Sequence, residues 1–202
     1  MEFKSHDILR VQVYTAILDS IDNKKLIKEI EETSNSIPAE FIHSFGADTN
    51  HTYFEDSTFS WSKPESSKLL GEIENSVSAI CCSEMNISEA WTLSLNFGQS
   101  VMAHSHRMNN HMNPSEFYSV AYYANAPENS AKLIFEIGHS NISESIYIIE
   151  PESSMLVIFN SYMKHMTTRH LSEEKRIVVS ANLAPRNPST VIVPDLSGYK
   201  VV

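Results

Sequence analysis

Residues 151–182 read PESSMLVIFNSYMKHMTTRHLSEEKRIVVSAN. Met155 to Phe159 is an apolar run that suits a strand, and a short turn separates it from the next run, which opens on His165. Eleven residues after His165, Arg176 opens the β-rich stretch RIVVSAN. The same texture extends upstream as far as Trp91, through the short runs WTLSLNF, SVMAHSH, FYSVAYYANA, AKLIFEI and SIYIIE, followed by SMLVIFNS, HMTTRHL and KRIVVSANLA. Gly98, Pro127, Gly138 and Pro151 punctuate them. So many short strands in so little chain predict an antiparallel sheet that closes on itself or folds into a sandwich.

The chain before Trp91 has a different period. Between Ala16 and Ile37, the residues Ile17, Leu18, Ile21, Leu26, Ile27 and Ile30 fall at mostly helical spacing, and Asp22 is placed to cap. Residues 36–64 read as loop with one short strand. After Pro64, Ser66 and Ser67 are candidate caps for a helix that carries Leu69, Leu70, Ile73, Val77 and Ile80 on one face. Beyond Pro185, with Pro188 and Pro194, the tail reads as an extended strap. The expectation is a single domain over 1–202: a mixed, helical support region at 1–90, a β core at 91–184 and a strap at 185–202.

Composition narrows the chemistry. With 42% hydrophobic and 20% charged residues, the 202-residue chain can bury a core. Its net charge of −10 disfavours a surface for nucleic-acid phosphates. Cys81 and Cys82 are adjacent and too few for a thiolate zinc site. No apolar run approaches a membrane span or a signal peptide, so a cytoplasmic protein is expected, and the sequons at Asn86 and Asn141 carry no weight. A homodimer through the N-terminal helices and the tail is an open possibility.

Nine histidines are present, three of them at 104, 106 and 111 and two at 165 and 170. On a strand, His104 and His106 present both imidazoles to one side, which is the barrel interior if Met102 also points inward. Neutral imidazoles suit Fe(II), Cu, Zn or Ni, and His165 is the natural third ligand. A lone histidine is more often a surface or satisfied core residue. Here Gly98 stands ahead of the pair as Gly-x5-His-x-His, a signature of cupin-type double-stranded β-helices. The fold class expected is therefore mainly β with N-terminal helices, a jelly-roll, cupin-like barrel.

Across Trp91 to Asn182 the residues resemble the 2-oxoglutarate- and Fe(II)-dependent oxygenases of bacteria and phages, distant relatives of prolyl hydroxylases. The resemblance rests on Trp91, Gly98, His104 and His106; on Ser119, Tyr122 and Tyr123; on Pro151, Leu156, Val157, Phe159, Ser161 and His165; and on Arg176, Ile177, Ser180 and Asn182. It implies Fe(II) held by His104, His106 and His165, with 2-oxoglutarate as cosubstrate bound through Arg176, Tyr123 and Asn182. The implied reaction couples oxidative decarboxylation of 2-oxoglutarate to oxidation of a small-molecule or protein substrate. Ser154, Tyr162, Val120 and Val178 depart from the family's glycine, tryptophan, glycine and serine.

Two alternatives stay open. Spacing back from Pro114 and Ser119 selects His111 and Asn113 in place of His104 and His106, with RMNNHMN as an insertion between the registers. No Asp or Glu stands two residues after either first histidine, although Glu116 follows the insertion closely. A three-histidine metallo-cupin that does not use 2-oxoglutarate therefore competes, as does a non-catalytic β-barrel binding module.

Overall fold

The computed structural model describes residues 11–34, 61–106, 117–137 and 146–187, with backbone pairing also given at 42–43 and 50–53. In chain order the elements are β1 (Val13–Ile17), α1 (Asn23–Ser34), β2 (Ile42–His43), β3 (Asn50–Tyr53), α2 (Pro64–Cys81) and β4 (Met85–Leu95). Then follow β5 (Tyr118–Asn125), β6 (Leu133–Glu136), β7 (Ile146–Ile149), β8 (Met155–Asn160), β9 (His165–Thr167) and β10 (Arg176–Pro185). A seven-stranded sheet has the order β1-β8-β5-β10-β4-β3-β2, and a three-stranded sheet has the order β7-β6-β9. All the pairings are antiparallel. This is the double-stranded β-helix.

Side-chain alternation along the strands separates two cores. Ile177, Val179, Ala181 and Leu183 of β10 join Val120 and Tyr122 of β5 and Leu156 and Ile158 of β8 on the outer face of the large sheet. There they meet Leu26 and Ile30 of α1 and Leu69, Ile73 and Val77 of α2. Residues on the opposite face, among them Val178, Tyr123, Val157 and Phe159, pack toward Leu133, Phe135 and Ile149 of the small sheet. Each fully buried aliphatic side chain contributes about 1.5–3 kcal/mol. The helices therefore stabilise the large sheet from outside and leave its inner face for other uses.

Several sequence expectations are corrected. Ala16 and Ile17 lie in β1, which pairs Val13 with Phe159 and Ile17 with Met155 on the edge of β8. A ladder to a waiting strand edge outweighs helical spacing for the β-branched Val13, Thr15 and Ile17. The helix starts at Asn23, and Asp22 caps it as expected, accepting from the Lys25 amide at 3.3 Å. Two short strands, not one, occur between 36 and 64. The run SVMAHSH forms no regular strand and touches β9 through one bridge, His104 with His165. The insertion at 107–113 with His111, Glu116, Gly138, Asn141 and the tail from 188 onward lie outside the described residues; Pro185 itself ends β10.

Ser66 and Ser67 are not the caps of α2. The helix begins at Pro64, after Lys63, and no side chain of its own caps it. The cap comes from α1: Glu29 accepts from the amides of Glu65 and Ser66 at 3.1 and 2.8 Å and from the Ser66 hydroxyl at 2.7 Å. In return Glu65 accepts from the Asp22 amide at 2.7 Å. Each helix thus satisfies donors at the start of the other. Burial pushes the Glu29 carboxyl up, but the Ser66 hydroxyl and the two amides outweigh it, and the net effect is a lowered pKa.

Glu29→Ala should therefore cost about 1–2 kcal/mol in denaturant unfolding. Because the folded-state pKa is lowered, the wild-type advantage should be complete above the ordinary carboxylate range and vanish as pH falls through the lowered value. An unchanged midpoint at neutral pH would remove Glu29 from this role.

Candidate active site

The three histidines are brought together by main-chain bonds. His104 and His165 exchange amide-to-carbonyl hydrogen bonds of 2.9 and 2.8 Å, and the His106 amide donates to the Ser161 carbonyl at 2.9 Å. Ser161 also donates its amide to the Phe117 carbonyl at 3.1 Å, so one buried residue holds the chain both before and after residues 107–116. Farther along, Val101 accepts from the Thr167 amide and donates to its hydroxyl, which makes 101–106 a broken ladder beside β9. Gly98 starts this segment at φ +82°, a backbone state that suits glycine.

The ring centroids of His104, His106 and His165 lie 4.3–5.2 Å apart. One nitrogen from each forms a group within 4.8 Å, and the Nε2 atoms of His104 and His106 are 3.2 Å apart. Nδ1 of His104 faces the Met102 carbonyl at 2.8 Å, and Nδ1 of His165 faces the Met163 carbonyl at 2.9 Å. A carbonyl only accepts, so both Nδ1 atoms carry the proton and both Nε2 atoms keep a lone pair. Nδ1 of His106 faces the Asn182 side-chain oxygen at 2.6 Å. Burial lowers all three pKa values, to about 3 for His165 and about 4 for His106. The group is neutral at pH 7, the state in which imidazole binds a metal.

Hydrophobic rings surround the cluster: the ring centroids of Phe159 and His165 are 4.8 Å apart, and those of Trp91 and His106 are 5.3 Å apart in a T-shaped pair. From the histidines a cavity of about 420 Å³ extends to Arg176, walled by Leu133, Phe159 and Val178. Arg176 is 2% exposed, and its Nε and Nη1 have no hydrogen-bond partner among the described residues. Its guanidinium carbon lies 4.8 Å from the Tyr123 ring centroid. The Tyr123 hydroxyl is also buried without a partner. Burial raises that phenol's pKa while the charge of Arg176 pulls it back. A buried cation with two nitrogens unpartnered is costly, and an anion with forked oxygens, such as a carboxylate, would complement it.

The placement of the remaining candidates is mixed. Tyr122 points to the helical side, where its hydroxyl donates to Asn23 at 2.7 Å. Asn182, expected at the cosubstrate, lines the cavity, and its amide is engaged by His106, Ser119 and Glu89. Met102 is 61% exposed and points away, while Met166 lines the cavity. His170 is fully buried but apart from the cluster, bonded to the Glu174 carbonyl at 2.7 Å and the Ala131 amide at 3.3 Å. It is a structural staple. His111 lies outside the described residues. Sequence reasoning missed Glu89, which lines the cavity with Trp91 and Leu93; the period-two spacing of those three residues on β4 was the available signal.

One barrel thus carries three clustered imidazoles and a buried arginine. Residues 89–182 match the sequence profile of the family described as "Putative 2OG-Fe(II) oxygenase". The matched segment holds all three clustered histidines and Arg176. Solved structures share the fold at low identity. One is the non-heme alpha ketoglutarate dependent carbocyclase SnoK from nogalamycin biosynthesis, with 11% identity and a TM-score of 0.70 over 94% of this chain and 87% of that one. A Pseudomonas putida prolyl-4-hydroxylase gives 12% and 0.60 over 87% of this chain and 94% of its own. HygX from Streptomyces hygroscopicus, solved with nickel and 2-oxoglutarate bound, gives 11% and 0.61 over 87% and 83%. No curated protein matches the chain in sequence.

Because the Tyr123 hydroxyl is buried without a partner, Tyr123→Phe should stabilise the ligand-free protein by about 1 kcal/mol. Chemical denaturation reads this directly. A destabilised variant would show that the hydroxyl has a partner in the ligand-free state.

Proposed function

We propose that His104, His106 and His165 hold the Fe(II) of this oxygenase, and that Arg176, with Tyr123 beside it, receives the distal carboxylate of 2-oxoglutarate. The observation that carries this reading is the pairing of opposite demands within one cavity. Neutral nitrogen lone pairs ask for a cation at one end, and unpartnered guanidinium N–H groups ask for an anion at the other. Fe(II) and 2-oxoglutarate bound there supply oxidative decarboxylation coupled to oxidation of a substrate.

The chain's own residues do the rest. Met102 and Met163 keep the protons of His104 and His165 off the nitrogens that face the centre. Arg176, fixed at the head of β10, orients the cosubstrate by its fork and its charge. Phe159, Leu133 and Val178 keep water from the space between. The all-histidine set favours a three-histidine metallo-cupin as second reading, but such a centre leaves the buried guanidinium without an occupant.

Chain-level features support the rest of the reading. The net charge of −10 favours a small molecule or a protein side chain over nucleic acid as substrate. Among the described residues no helix is long and apolar enough to cross a membrane. The two free cysteines, Cys81 and Cys82, suit a reducing cytoplasm. One domain over 1–202 fits helices that pack directly on the large sheet.

Anaerobic titration of Fe(II) and then 2-oxoglutarate, followed by the visible charge-transfer band of the chelate, tests the assignment. His165→Ala should lose metal binding while staying folded. Arg176→Ala should keep the metal and lose roughly 10–100-fold in 2-oxoglutarate affinity, the worth of a charge-assisted hydrogen bond pair. Metal binding without a band would move the protein to the metallo-cupin reading.

A further inference from the structure

The three imidazoles are not held alike. His104 and His165 lean on main-chain carbonyls, which dictate the tautomer by themselves. His106 Nδ1 faces two side chains, the Ser119 hydroxyl at 2.8 Å, which can donate or accept, and Asn182 at 2.6 Å, whose amide has two ends. With its oxygen toward His106, the proton sits on Nδ1 and the Nε2 lone pair faces the other histidines. With its NH2 toward His106, Nδ1 must accept, the proton moves to Nε2, and the inward lone pair is lost.

What decides between the two lies behind the amide. Asn182 donates through Nδ2 to Glu89, and a carboxylate accepts. The NH2 end is thereby claimed, and the oxygen is left for His106. The Ser119 hydroxyl has one proton to give and lies within reach of the Asn182 oxygen, the Ser161 hydroxyl and His106 Nδ1, so it follows whichever polarity the amide sets. Glu89 is not one of the group of three, though its charge acts on His106.

We infer that Glu89 is a positioning residue that fixes the proton of His106 on Nδ1 through Asn182 and so keeps the third inward nitrogen open. The inference builds on the proposed metal centre, but its first readout is independent of metal. Long-range proton–nitrogen correlation spectra of the metal-free, 15N-labelled protein report the His106 tautomer, assigned by difference from His106→Ala. Wild type should show Nδ1–H.

In Glu89→Gln the new amide can face Asn182 with either end, so an Nε2–H population should appear, and Ni(II) affinity by calorimetry should fall roughly 10–100-fold, as for other outer-shell losses. In Glu89→Gln with Asn182→Asp, the Gln amide donates to Asp, and Asp accepts from His106. Both readouts should then recover. Nε2–H in wild type, an unchanged tautomer in Glu89→Gln, or no recovery in the double variant would overturn the inference. If the tautomer responds as stated but wild type binds no Ni(II), the metal assignment fails and the role of Glu89 stands.

Discussion

Strand β10 runs between β4 and β5 and is buried on both faces, so the register of its two ladders determines nearly everything else. Ile177, Val179, Ala181 and Leu183 meet the helical layer, while Arg176, Val178, Ser180 and Asn182 face the cavity. A slip of one residue would exchange the two sets, driving a guanidinium into an aliphatic core and leucine into the site. Irregularities in the ladders fall at Ile177/Val178 against β5 and at Asn182/Leu183 against β4. Bulges re-aim side chains, and these two sit beside Arg176 and Asn182.

The β half was legible because runs such as MLVIFN and RIVVSAN carry strand composition between turn signals, and the histidine pair was legible from its spacing. His104 and His106 converge through a broken ladder to β9 and a bond to Ser161, not through strand alternation. What stayed hidden depends on partners far away in the chain. Glu29 caps a helix that begins 35 residues later than it (64 − 29 = 35), and Glu89 meets Asn182 across a separation of 93. Local pattern carries no trace of such pairs. β1 was misread because Ile17, Leu18 and Ile21 continue a helical period into a segment that the open edge of β8 claims.

The site is locally unfavourable and globally supported. An arginine and a phenol are buried with unpartnered polar atoms around a cavity, features that cost stability in any fold. The support comes from the other face of the same strands, where two reciprocally capped helices close an aliphatic layer. Stability and chemistry thus occupy opposite sides of one sheet.

The double grip of Ser161 bears on how such a protein diversifies. Its carbonyl holds His106 and its amide holds Phe117, so the stretch between them leaves and returns at one clasp. Closing a loop whose ends are already pinned costs free energy that grows only as the logarithm of its length. Residues 107–116 can therefore lengthen, shorten or change character with little strain on either neighbour. Evolution has here a place for trying new sequences while the imidazoles stay where they are.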